Sequence, residues 1–238
     1  MNQTVDPRQF WEEKILKWED GRYRQSKAPS LIEEAANQIS GSLRFRLKVA
    51  VCILAPRIAG KKVVELGCGS ALLAKELLDL GAASYTGYDF ANAAIKRGSE
   101  RLAAAGLDDR ARLEVAEVGN LKALDADVVF SLGLFDWLSL AEIDHVFACS
   151  GGAQFLHAIA EKRVSLPQWI HRAYVHFAYG HFTGAYRPKY FTVDEIAEIA
   201  SGHGIPEIHV FRHRKLSFGA ILTSFPVAAD LGLPRPPA

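Results

Sequence analysis

The sequence predicts an α/β fold: a seven-stranded, mostly parallel sheet with helices on both faces, an antiparallel last strand and an added helical lid. Three observations point there. From residue 62 onward, apolar runs of strand length alternate with segments of helix length. The run Val63-Val64-Glu65-Leu66 ends in a small-residue turn, Gly67-Cys68-Gly69-Ser70-Ala71. One helix and one strand later a second run ends in Tyr88-Asp89, which sets two acids at the carboxyl edge of a sheet.

Each element has a local reason. Trp11, Ile15 and Trp18 recur at i, i+4 and i+7, so 10–18 is expected as an amphipathic helix with an aromatic face to bury. A second helix is expected over 44–58, leading through Gly60 into the first strand at 63–66. The alternation continues as helix 72–80, strand 84–88, helix 91–105, strand 111–115, strand 127–131, helix 139–147 and strand 153–158. Such repeats join through right-handed crossovers, which make the sheet parallel and cover both its faces. Thr192-Val193-Asp194-Glu195 is a capping box that opens a helix with Ile196, Ile199 and Ala200 on its apolar face, ending near 202–204. Strands follow around Ile208 and Val210 and over 216–225, too close together for a crossover helix, so this last pair is expected as an antiparallel hairpin. Pro234-Arg235-Pro236-Pro237 has the composition of a frayed tail.

Composition narrows the function. With 238 residues, 49% hydrophobic and 23% charged, the chain buries a sizeable core in one domain, or in one domain with an appendage. The 28 Lys and Arg against 27 Asp and Glu leave a net charge of +1 with no long block of either sign, which argues against a nucleic-acid partner. Cys52, Cys68 and Cys149 stand apart, without a CxxC pair or a Cys/His spacing, so reduced thiols and no metal site are expected. The amino terminus lacks an apolar signal core, and no run approaches the roughly 20 apolar residues of a membrane helix. A cytoplasmic protein without a membrane span is the expectation.

The glycine turn separates two ligand classes. A pyrophosphate site wants G-x-G-x-x-G, and the third glycine position here is Leu72. Glu65, two residues before Gly67, is a poor neighbour for phosphate but a fitting partner for the ammonium of an amino-acid group, directly or through water. The turn therefore suits a zwitterion.

At these residues the chain resembles the class I S-adenosylmethionine-dependent methyltransferases, which share a Rossmann-like sheet and an acid-x-Gly-x-Gly-x-Gly turn. Glu65, Gly67 and Gly69 match that turn, with Ala71 replacing the last glycine, and the resemblance runs from about 62 to 225, closing hairpin included. It implies S-adenosyl-L-methionine as cofactor, with the backbone around Gly67, Cys68 and Gly69 near its methionine part and Asp89 accepting from both ribose hydroxyls. Phe90 follows Asp89 at the same edge, Glu117 or Asn120 would face the adenine amino group, and Ser131 ends the fourth strand beside the cofactor. Capping of the next helix is the competing role for Asp89, and it does not exclude ribose binding. The domain plan becomes N-terminal helices as a cap over 1–60, a cofactor-binding domain over 61–227 interrupted by a lid at about 163–191, and a tail over 228–238.

The acceptor side is less sharply written. Gly133, Asp136 and two aromatics follow the fourth strand where the transferred methyl should lie; Asp136 either touches substrate or caps the helix starting near Ser139. The Asn/Asp-Pro-Pro-aromatic stretch of adenine methyltransferases is absent, which again argues against nucleic acid. Between 166 and 191 lie Trp169, Tyr174, Phe177, Tyr179, Tyr186, Arg187, Lys189 and Tyr190, with three of the chain's eight histidines. This segment takes the place of a plain crossover and is where a substrate lid belongs. Tyr174, Tyr179 and Tyr186 would line an aromatic pocket, Arg187 or Lys189 would hold an anionic group, and His176 or His181 would serve as base for a hydroxyl acceptor. Packing against the sheet is the competing role for each of these aromatics. Trp18 and Tyr23 are candidates to close over the cofactor from the amino-terminal side. The expected function is methyl transfer to a small metabolite at a hydroxyl or carboxylate oxygen. N-methylation, a non-catalytic S-adenosylmethionine-binding module and a nicotinamide oxidoreductase are the alternatives.

Overall fold

A computed structural model describes residues 7–23, 31–163, 168 and 188–227, together with the side chains of most of them. At its centre lie β1 (Lys62–Leu66), β2 (Ser84–Asp89), β3 (Ala111–Val115), β4 (Val128–Leu132), β5 (Gln154–Ala160), β6 (His209–Arg212) and β7 (Gly219–Thr223). The spatial order is β3-β2-β1-β4-β5-β7-β6. The first five strands run parallel, while β7 enters between β5 and β6 and is antiparallel to both. The chain order reverses between β1 and β4, so a cleft opens at the carboxyl ends of those two strands.

Alternation along β1 shows why the sheet needs cover on both faces. Val63 and Val64 are both buried, yet they belong to opposite layers. Val63 packs with Val49 and Ile53 of α2 (Leu31–Leu54) and Leu77 of α3 (Ala74–Asp79), and Ile95 of α4 (Asn92–Ala104) joins that layer. Val64 packs with Ile143 and Phe147 of α5 (Leu140–Ser150) and Ile196 of α6 (Val193–Gly202). Each such buried side chain contributes about 1.5–3 kcal/mol of hydrophobic stabilisation. The remaining helix, α1 (Pro7–Tyr23), packs on α2 and α4 from outside, with Ile15 on Ala91 and Ala94 at the start of α4.

The departures from the expected boundaries have local causes. The helix expected over 72–80 is reduced to α3, because Ala71 takes a left-handed φ of 55° and the turn runs on to Leu73 before helical bonding begins. The strand expected over 216–225 shrinks to β7, because Arg214–Leu216 forms a 3-10 turn and Ser217 has φ 58°. At its start α2 reaches back to Leu31 rather than 44, carrying Gly41 inside it despite that residue's low helix propensity. Ser139, expected as the first residue of a helix, is instead its cap: its hydroxyl accepts from Glu142 N while Glu142 reaches back to the Ser139 N–H. The expected capping box at Thr192 and Glu195 is present with the same reciprocal bonds.

The insertion expected over 163–191 falls mostly outside the described residues, but its two ends are placed. Phe191 bridges to Glu161 in parallel, and Lys162 N donates to Phe191 O at 2.8 Å, so the chain leaves and returns beside the carboxyl end of β5. Thermal melts check the caps: Ser139→Ala and Thr192→Ala should each cost about 1 kcal/mol of stability.

Candidate active site

The cleft at the carboxyl ends of β1 and β4 is built around the glycine turn. Gly67 and Gly69 have φ of 67° and 54°, a region that side chains enter only with strain. Those angles bring the turn over β2, where Gly67 N and Cys68 N both donate to Tyr88 O. The parallel register that pairs Leu66 with Tyr88 also carries Asp89, the last residue of β2, level with the turn. One Asp89 oxygen accepts from Gly69 N at 2.8 Å and the other from Ala91 N at 2.9 Å. Asp89 thus ties the turn to the entrance of α4.

Helix α1 covers this turn and supplies a second carboxylate. Glu19, buried, accepts from Ser70 N at 2.8 Å, and it lies so close to Gly69 that a Cβ there would overlap it. Glu12, two turns earlier on the same helix, accepts from Ala93 N at 2.9 Å in the first turn of α4, and Asp20 pairs with Arg97 at 3.0 Å. At the helix's other end Trp11 meets Trp137 edge to face, with ring centroids 5.0 Å apart. The helix therefore spans the cleft from the loop after β4 to α4.

A third acid completes the cluster. Glu65 is buried near the carboxyl end of β1 and receives a short hydrogen bond from Tyr85 Oη. Burial pushes its carboxyl up to about 8, and the negative charges of Asp89 and Glu19 add to that shift. Burial also raises Asp89, against the lowering effect of its two backbone donors, and pushes the Cys68 thiol up. Glu19, Glu65 and Asp89 form no ion pair among the described residues. Three acids gathered around one turn disfavour one another's ionised forms, an arrangement that a nearby positive charge would relieve.

On the opposite side of the cleft stands the loop after β4. Leu134 packs on Gly67, where a Cβ would come within 3.1 Å of it. Asp136, the candidate cap for the following helix, does not cap it; Ser139 does, and Asp136 turns its Oδ1 to Ala160 N at 2.6 Å. Burial raises Asp136 to about 7, with the Ala160 bond and the charge of Arg46 pulling the other way. Its carbonyl accepts from Lys189 N at 2.6 Å, which returns the chain after the insertion to this edge.

Comparison with known proteins points to a kind of chemistry for this part of the chain. Residues 63–150, from the middle of β1 through α5, match the family model of a methyltransferase domain. Over these residues the chain is similar to methyltransferases. Curated relatives include the ribosomal protein L11 methyltransferases of Escherichia coli, 36% identical over 103 residues, and of Haemophilus ducreyi, 42% identical over 72 residues. Those matches cover 43% and 30% of this chain, and the chain covers only 35% and 24% of the two relatives. Among solved structures, magnesium protoporphyrin IX methyltransferase (ChlM) from Synechocystis with bound SAH superposes with a TM-score of 0.68 at 16% identity. That likeness covers 91% of this chain and 96% of that one. The methyltransferase SibL in its apo form gives 0.61 at 14% identity, over 93% and 70% of the two chains. At such identities the likeness is one of fold.

Within the matched residues the structure brings Glu65, Gly67, Cys68, Gly69 and Asp89 together at the turn, with Phe90 beside them. Glu117 stands at the carboxyl end of β3, exposed, with Asn120 Nδ2 at 3.5 Å from its carboxylate. Ser131 is different: it is fully buried and its hydroxyl meets His157 Nδ1 at 2.9 Å, so its side chain faces the core rather than a ligand. His157, stacked on Phe135 and lowered to about 3 by burial, stays neutral there. Tyr174, His176, Tyr179, His181, Tyr186 and Arg187, with the side chains of Trp18 and Tyr23, lie outside the described residues. No group of ligands suited to a metal ion occurs among the described residues, and no described helix is long and apolar enough to cross a membrane. A shallow groove lined by Asp127, Cys149 and Gly151 opens at the amino ends of the strands, away from this chemistry.

Sequence reasoning missed Glu12, Glu19 and Arg46. The available signal was the spacing of Glu12, Ile15 and Glu19 at i, i+3 and i+7, which puts two acids on the same helix face as an apolar anchor.

Glu65 leaves a measurable signature. Its folded-state value lies above the ordinary 4.5, so its ionisation opposes folding: the penalty is absent below about 4.5, grows as pH rises and levels off above about 8. Thermal melts from pH 4 to 9 should show the wild type losing stability with rising pH relative to Glu65→Gln, which keeps an acceptor for Tyr85 but cannot ionise.

Proposed function

We propose that this chain transfers the methyl group of S-adenosylmethionine to an oxygen, hydroxyl or carboxylate, of a small metabolite. The observation that carries the donor half is the cluster of Glu19, Glu65 and Asp89 around the glycine turn. A sulfonium and an ammonium bring two positive charges, which offset the mutual repulsion of these acids. When bound there, the cofactor supplies an electrophilic methyl, which the acceptor oxygen takes in line as the carbon–sulfur bond breaks and the sulfide leaves with the electron pair. The residues of the chain do the rest. Asp89 exchanges its backbone donors, or shares them, to hold the ribose hydroxyls, Glu65 receives the ammonium directly or through water, and Glu117 stands toward the adenine side. Trp11 of α1, packed on Trp137, closes the cleft to water over both partners.

The leaving sulfide needs no acid, so only a hydroxyl acceptor requires a base. His176 and His181 are proposed for that role, with Asp136, raised to about 7, as the described group whose proton affinity suits it. Tyr174, Tyr179, Tyr186 and Arg187 are proposed as the acceptor-binding surface, within a lid spanning about 163–191. The similarity to ribosomal protein L11 methyltransferases favours a second reading, a protein acceptor, but it lies in the donor-binding part of the chain.

Ligand-induced thermal shifts and calorimetry test the donor half. S-adenosylmethionine should raise Tm and NAD(P) should not, and Asp89→Ala should weaken S-adenosylmethionine at least tenfold. Titrations at pH 7 in buffers of different ionisation heat should show proton release on binding, lost in Glu65→Gln, because a cation beside Glu65 lowers it from about 8. Failure of S-adenosylmethionine to bind would overturn the assignment. Release of S-adenosylhomocysteine with a small-molecule panel, against ribosomal protein L11, separates the two acceptor readings; His176→Ala and His181→Ala should lose turnover while keeping cofactor affinity.

A further inference from the structure

We propose, on the methyltransferase reading above, that Arg46 is a further acceptor-binding residue and that it holds an anionic oxygen group of the acceptor, a carboxylate or phosphate, beside the point of methyl delivery.

Arg46 projects from α2 over the carboxyl end of β4. A Cβ on Gly133, the first residue after that strand, would stand 2.7 Å from Arg46 Nη1 and 3.2 Å from Nη2, so the glycine leaves the room that the guanidinium fills. Gly133 also has φ of 94°, which a side chain would resist. Its neighbour Leu134 lies on Gly67, the exposed start of the donor turn. The guanidinium and the donor turn are therefore separated by one short loop.

What marks Arg46 is that its hydrogen-bonding capacity is unspent. Its Nε is buried with no hydrogen-bond partner, and the guanidinium forms no ion pair among the described residues. The other described arginines at this edge are committed. Arg163 and Arg212 both bond Glu161, Arg97 pairs with Asp20, and Arg101 donates to the carbonyls of Ser70 and Ala71. Asp136, whose proton affinity the charge of Arg46 lowers, gives Oδ1 to Ala160 N and does not close an ion pair with the guanidinium. A planar fork of donors, partly desolvated and without a partner, matches an oxyanion that can accept two parallel bonds. The opposite wall, with Glu19, Glu65 and Asp89, repels the same anion, so the two walls sort a cationic donor from an anionic acceptor.

The experiment uses the full chain saturated with S-adenosylhomocysteine and follows the Arg46 Nε–Hε resonance, identified by its absence in Arg46→Gln. Benzoate, phenyl phosphate and neutral benzamide are the probes. Saturable displacement of the Arg46 signal by benzoate or phenyl phosphate, with benzamide inert, is the expected result, and the tighter anion names the group. Affinity for that anion should fall at least tenfold in Arg46→Gln and by less in Arg46→Lys, which keeps charge but loses the fork, while S-adenosylhomocysteine affinity stays unchanged. An Arg46 signal unmoved by both anions, equal displacement by benzamide, or unchanged anion affinity in Arg46→Gln overturns the proposal. If S-adenosylhomocysteine does not bind the wild-type chain, the donor reading fails separately, and the same titration of the free protein still decides Arg46.

Discussion

The bond from Gly69 N to the Asp89 carboxylate is the contact on which the cleft depends. A strand that ends in two left-handed glycines leaves backbone N–H groups pointing away from any ladder, and a buried N–H without a partner costs about 1–3 kcal/mol. Asp89 removes that cost because the register of β1 on β2 delivers it there, and its second oxygen meets Ala91 at the start of α4. Turn, strand and helix are locked by one side chain. Glu19 repeats the solution from outside the sheet, taking the next N–H, that of Ser70, and drawing α1 across the opening.

The same contacts create the electrostatic character of the site. Backbone N–H groups at a turn attract acids, and the acids so gathered, with Glu65 beneath them, disfavour one another's ionised forms, so that Glu65 and Asp89 hold their protons above the ordinary range. A positive charge placed beside them would favour their ionised forms. Across the cleft the loop after β4 has the opposite arrangement, a guanidinium above Gly133 and an acid whose burial holds it near neutrality. The two walls of the cleft thus differ in the charged groups they carry as well as in position along the sheet.

The central sheet was legible because its signals are local. Buried strands such as Val128–Leu132 are continuous apolar runs, the capping box at Thr192 is written within four residues, and the closing hairpin follows from the absence of room for a crossover. Asp89 was legible as well, since an acid at a strand end needs only the strand to be recognised. Boundaries were harder where a backbone angle intervened: the left-handed Ala71 shortens α3, and Ser217 shortens β7. Asp136 was placed at the right edge but not on its partner, because Ala160 lies 24 residues away and only the pairing of β4 with β5 brings it near. Ser131 sits at the right strand end but faces inward, since its hydroxyl shares the face of its cross-strand partner His157.

The sequence by itself determined the doubly covered sheet, the glycine turn and the acid that follows one strand later. These are properties of residues close in the chain, set by periodicity, by backbone freedom at glycine and by where apolar runs stop. The tertiary structure alone decided that Glu19 closes on Ser70, that Asp136 serves Ala160 and that Arg46 stands above Gly133 with no ion pair among the described residues. Those contacts join elements far apart in the chain, and a charged side chain carries no mark of its partner until packing has decided which backbone groups are left without one.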